Sequence, residues 1–141
     1  DVGNICDFIC SFEVIEHTNK KNGQKFIENL RKCCKEDTVV LLSTPNFDLK
    51  VGAAGNHTYD GGPQEFEHTE LQELLERHFT VEDKWGTFAS KKDYFHLMDD
   101  KTKNLWDRLH EFYDSNVMAV LFAPLFPNEA RNCMWKLKPK V

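Results

Sequence analysis

Residues Ile5 to Phe12 form a short, nearly continuous apolar run, the pattern of a strand buried on both faces of a parallel sheet. Polarity returns at Ser11-Phe12-Glu13. From Gly23 onward Phe26, Ile27, Leu30, Cys33 and Cys34 recur at helical spacing, and Lys and Arg gather at the end facing the negative pole of the helix dipole. Val39 to Leu42 is β-branched and apolar and is stopped by Pro45, whose ring bars the preceding residue from helical conformation. Strand, amphipathic helix, strand predicts a right-handed βαβ unit with Ile5 to Phe12 and Val39 to Ser43 as parallel neighbours.

Residues 48 to 65 hold four of the seven glycines together with Pro63 and predict a long irregular loop. Thr69 and Gln72 have the spacing of a capping box, and Leu71, Leu74, Leu75 and Phe79 line one face of the helix it would start. Thr80 to Phe88 resumes strand character. Lys101 to Tyr113 is helical, with Leu105, Trp106, Leu109, Phe112 and Tyr113 on one stripe, and Asn132 to Leu137 reads as a last strand.

Composition narrows the class. At 141 residues, 40% hydrophobic and 12% aromatic, the chain can bury one core. A net charge of −5 excludes a broad electrostatic footprint for a nucleic-acid backbone. The longest apolar stretch, Val117 to Phe126, is interrupted by Pro124 and too short to cross a bilayer, so no membrane association is expected. Five cysteines without C-x-x-C spacing argue against a disulfide framework or structural zinc and read as reduced core thiols of a cytoplasmic protein. The chain opens on Asp1 and enters the first apolar run almost at once, which leads us to expect a fragment, or a chain whose start is not included.

Three segments carry a resemblance. Asp7-Phe8-Ile9-Cys10-Ser11-Phe12-Glu13-Val14-Ile15-Glu16-His17 resembles the fourth-strand motif of class I S-adenosylmethionine-dependent methyltransferases. Leu41-Leu42-Ser43-Thr44-Pro45-Asn46 is similar to their fifth strand, and Glu65-Phe66-Glu67-His68-Thr69-Glu70-Leu71 to the substrate-side segment before the next helix. The resemblance implies an α/β, Rossmann-like methyltransferase fold, here its C-terminal half, with a mostly parallel sheet, an antiparallel last strand and a helical insertion. On this reading residues 1–91 are the βαβαβ core, 92–127 the insertion and 128–141 the last strand. The insertion, Lys92 to Pro127, reads as a packing or homodimer surface in preference to a substrate lid. The glycine-rich cofactor turn and the acidic ribose ligand of the family are absent, and Gly52-Ala53-Ala54-Gly55 follows no strand and leads into no helix. The N-terminal half of the domain is therefore an expected partner.

The resemblance implies S-adenosylmethionine as cofactor, with Ser11, Phe12 and Glu13 on its side of the cleft and Asn46 facing the acceptor, an O or N atom of unknown identity. Glu16 and His17 join Asn46 as candidate catalytic residues. Spacing adds a second reading: at i, i+3 and i+4, Glu13, Glu16 and His17 share one face of a helical turn. A similar Glu-x-x-Glu-His set, completed by a further His, binds a metal in the methyltransferases that modify the 3'-terminal ribose of small RNAs. His57 or His68 would supply that ligand here to magnesium or manganese, which would polarise vicinal hydroxyls of the acceptor. The plainer reading is that Glu16 and His17 satisfy backbone donors at a helix start. His78, His96 and His110 fall on predicted helices as surface residues. Against the enzyme readings stands a degenerate, non-catalytic methyltransferase-like binding or scaffold module, because fold alone does not fix function.

Overall fold

The computed structural model describes residues 3, 5–48, 58–59, 62–63 and 65–141. Strand β1 (Cys6–Phe12) leads through a 3-10 turn (Ile15–His17) into helix α1 (Lys20–Cys33), and β2 (Cys34–Pro45) follows at once. Beyond the two-residue strands β3 (Thr58–Tyr59) and β4 (Gly62–Pro63) come α2 (His68–Glu76) and β5 (Phe79–Phe88). Short helices α3 (Lys91–Tyr94), α4 (Asp100–His110) and α5 (Ser115–Leu121) then precede β6 (Asn132–Pro139). Residues 49–57 lie outside the described residues, and of the long loop predicted over 48 to 65 the described part contains the β3–β4 pair.

The main sheet has the order β1-β2-β6-β5. β1 and β2 are parallel, with Ile9 opposite Val40 and Ser11 opposite Leu42. β6 runs antiparallel to both β2 and β5, so β1, β2 and β5 share one direction and only β6 opposes it. The mostly parallel sheet, the antiparallel last strand and the helical segment ahead of it agree with expectation.

α1 starts at Lys20 because Asn19 caps it, its side chain accepting the Asn22 amide at 2.8 Å. Gly23 lets α1 approach Phe66 closely: a Cβ there would stand 3.1 Å from the ring. The core is the sheet face of Val40, Leu42, Trp135 and Leu137 under Ile27 of α1 and Leu71, Leu74 and Leu75 of α2, all buried.

Four expectations are corrected. β1 is not buried on both faces: Phe8 and Phe12 are 55% and 49% exposed because the face they share carries no covering layer among the described residues, and Ile5 just ahead of the strand is 59% exposed. Cys10 shares that open face and is exposed, so the thiols are not all in the core. The capping box is formed by Glu67 and Glu70: α2 begins at His68, so the Glu67 carboxylate accepts the Glu70 amide and Thr69 lies inside the first turn. α4 ends at His110, with Leu105 on its exposed side and Phe112 and Tyr113 exposed beyond its end, and Asp114 opens a new helix by accepting the amides of Asn116 and Val117.

Candidate functional site

Parallel β1 and β2 deliver their carboxyl ends to one edge of the sheet, and antiparallel β6 begins there. In open α/β sheets ligands bind at this edge. Glu13 is the residue that leaves β1. Its φ of 54° lies in the left-handed region, which side chains other than glycine enter at a cost of about 1 kcal/mol. Three bonds hold it there. Its amide donates to the Ser43 carbonyl at 3.0 Å, and its carboxylate accepts from Ser43 Oγ at 2.7 Å and from Asn132 Nδ2 at 2.8 Å. One side chain thus ties together the ends of β1, β2 and β6.

Glu16 sits in the 3-10 turn and is 1% exposed, its Oε2 accepting from Thr44 Oγ1 at 3.1 Å. Burial pushes its carboxyl above the usual carboxylate range, with a smaller push from the charge of Glu13. His17 faces outward, with its side chain 61% exposed and Nε2 3.9 Å from Glu16 Oε1. Glu13, Glu16 and His17 are neighbours, but the two carboxylates are already engaged by Ser43, Asn132 and Thr44. Among the described residues no group of three or more His, Cys, Asp or Glu comes together as a metal site. His57 lies outside the described residues.

Ser11 is 7% exposed and its hydroxyl has no hydrogen-bond partner, while Phe12 beside it is half exposed. Asn46, at the end of β2, is 3% exposed. Its amide donates to the Arg131 carbonyl at 2.9 Å and its Nδ2 to the Ala130 carbonyl at 3.0 Å, which leaves Oδ1 unpartnered. Asn46 lines a pocket of about 260 Å³ with Asp48, His68, Asn128 and Arg131.

His68 is the wall residue of greatest chemical interest. Burial, then the charge of Lys84, pulls its pKa from 6.5 down to about 4, opposed weakly by the Ala130 carbonyl and Asp48. Despite that carbonyl, neither ring nitrogen makes a hydrogen bond of ordinary geometry. The imidazole is neutral at pH 7. Sequence reasoning offered His68 only as a metal ligand and missed Ser43, Thr44 and Asn132, which hold the two glutamates. Ser43 and Thr44 had a signal, being paired hydroxyls at the carboxyl end of an apolar strand; Asn132 had none.

Residues 3–101 match the profile of a family described as a methyltransferase domain. No protein among the curated sequences matches the chain. Among solved structures, a SAM-dependent methyltransferase from Archaeoglobus fulgidus is 12% identical with a TM-score of 0.52, the match covering 98% of this chain and 61% of that one. The cyclopropane synthase MmaA2 from Mycobacterium tuberculosis is 16% identical with a TM-score of 0.50, covering 97% and 56%. The cyclase SpnF is 13% identical with a TM-score of 0.55, covering 99% and 51%. These likenesses establish the Rossmann-like methyltransferase fold, and the chain spans between about half and three fifths of the length of these structures. No helix among the described residues is long and apolar enough to cross a membrane.

Proposed function

Because the chain belongs to the methyltransferase domain family, we propose that it forms the C-terminal, acceptor-side half of an S-adenosylmethionine-dependent enzyme that methylates an O or N atom. One observation carries the reading: two buried polar atoms, Ser11 Oγ and Asn46 Oδ1, lack partners at the ends of two adjacent parallel strands. A buried polar atom left unpaired costs about 1–3 kcal/mol, so a position that keeps two of them at a ligand edge calls for a ligand. The cofactor's polar groups fit the Ser11 side, with Phe12 as an apolar wall, and an N–H or O–H of the acceptor fits Asn46 Oδ1.

Bound S-adenosylmethionine supplies an electrophilic methyl group on a sulfonium. The chain's own residues have to hold the acceptor in line and deal with its proton. Asn46 Oδ1 accepts a hydrogen bond from the acceptor and orients it. His68, neutral in its pocket, offers a ring lone pair to the same proton or to a water that carries it. Glu13 and Glu16 act as positioning residues, fixing the strand ends through Ser43, Thr44 and Asn132. No covalent nucleophile is needed, and the cysteines take no part.

The open edge of β1, with Ile5, Phe8 and Phe12 exposed, supports pairing with the half of the domain that would carry the glycine-rich cofactor turn. The test is calorimetric titration of S-adenosylmethionine into the 141-residue chain and into a protein extended by such a half. The chain alone is expected to bind no tighter than millimolar and the extended protein at micromolar levels. Micromolar binding by the chain alone would overturn the half-domain reading. An extended protein that folds and does not bind would overturn the methyltransferase reading.

A further inference from the structure

The segment between β5 and β6 lines an open cavity of about 440 Å³ that the proposed methyl-transfer site does not use. It falls within the range of small-molecule pockets, about 300–1,000 Å³. Its floor is apolar: Trp106, Met118 and Ala119 line it and are 3%, 1% and 4% exposed. Its rim carries Lys91 and Lys92, and no Asp or Glu lines it, in a chain whose net charge is −5. Lys91 is partly engaged, with Nζ 4.3 Å from the centre of the Trp106 ring and 3.4 Å from Asp107 Oδ1. Lys92 makes no ion pair among the described residues.

The cavity lies at the same sheet edge as the candidate site. Phe88, at the carboxyl end of β5, lines its mouth and pairs with Asn132, the residue that holds Glu13. The Ala89 amide donates to the Ala119 carbonyl at 2.9 Å, which fastens α5 to this edge. An aromatic floor beneath the Lys92 amine, with no carboxylate among the lining residues, suits an amphipathic acid. The apolar body gains from burial and the anion from the ammonium groups.

We infer that this cavity binds a small molecule with an aromatic or similarly apolar body and one anionic group, held at the rim by Lys92. The binding does not rest on the proposed function, whose acceptor residues Asn46 and His68 line a different pocket.

The test is calorimetry on the 141-residue chain with naphthoate as probe and naphthamide as its neutral counterpart. Wild type is expected to bind naphthoate more tightly than naphthamide. Lys92→Glu, a surface exchange whose fold is checked by circular dichroism, is expected to weaken naphthoate about tenfold and to leave naphthamide within about twofold. Ala119→Leu, which fills the floor, is expected to abolish both; should it fail to fold, Lys92→Glu decides alone. Naphthoate that does not bind, or binds equally well to Lys92→Glu, overturns the inference. Naphthoate bound by the 141-residue chain, together with an extended protein that folds and does not bind S-adenosylmethionine, supports the cavity and overturns only the proposed function.

Discussion

His68 offers the sharpest test of the site's electrostatics. It opens α2 and packs beside Trp135, ring centres 6.2 Å apart. Its pKa in the folded chain is about 4, against about 6.5 when unfolded. The folded value is the lower one, so between these values the unfolded chain binds more protons. His68 therefore contributes full stability above about pH 6.5, and that contribution falls by about 1.4 kcal/mol per pH unit as the pH drops toward 4. Between about pH 7.5 and pH 5 the loss amounts to about 2 kcal/mol. With a urea slope of about 2 kcal/mol/M, the midpoint should move by about 1 M. Glu16 acts in the opposite sense, because burial raises its carboxyl above 4.5 and favours the folded state as the pH falls. Its effect is common to wild type and a His68 variant and cancels in their difference. The assay is urea unfolding of wild type and His68→Phe at both pH values, followed by circular dichroism. The variant should lose about 1 M less of its midpoint on acidification. An identical pH shift in the two proteins would refute the buried neutral imidazole, and with it the ring lone pair offered to the acceptor.

Gly86→Ala should destabilise the chain by about 3 kcal/mol, read as a lowered thermal midpoint. The added Cβ would stand 2.3 Å from the Ala123 carbonyl oxygen and 2.7 Å from Ala130 Cβ, both fixed by the turn after α5. Thr44→Val keeps the volume but removes the donor to the buried Glu16 carboxylate, and should cost about 1–3 kcal/mol at neutral pH and less near pH 4, where the carboxyl is protonated. Magnesium or manganese titrated into wild type, Glu16→Ala and His17→Ala should give indistinguishable calorimetric traces, since Glu13 and Glu16 are engaged within the chain. A saturable heat in wild type that either variant loses would restore the metal-ligand reading.

The β1–α1–β2 unit was legible because each of its parts is coded locally. A seven-residue apolar strand, a helix with one apolar stripe and a β-branched run stopped by proline leave the chain few other ways to bury these residues. The same holds for α2 and β6. The resemblance of Glu13 to His17 and of Ser43 to Asn46 to a known family then located the carboxyl edge of the sheet. Periodicity states which side chains require burial, but not which strand will cover them. It could not say that β1 would be left half open among the described residues, with Phe8, Cys10 and Phe12 exposed. Nor could i, i+3, i+4 spacing say that Glu13 would adopt a left-handed conformation and turn its carboxylate to Ser43 and Asn132, away from a shared helical face. Those contacts join residues 30 and 119 positions apart. They arise only once β6 has inserted antiparallel between β2 and β5. The neutral state of His68 has the same origin: the Trp135 ring of β6 and the Lys84 charge of β5 reach it through the assembled sheet, from sequence distances at which local pattern carries no information.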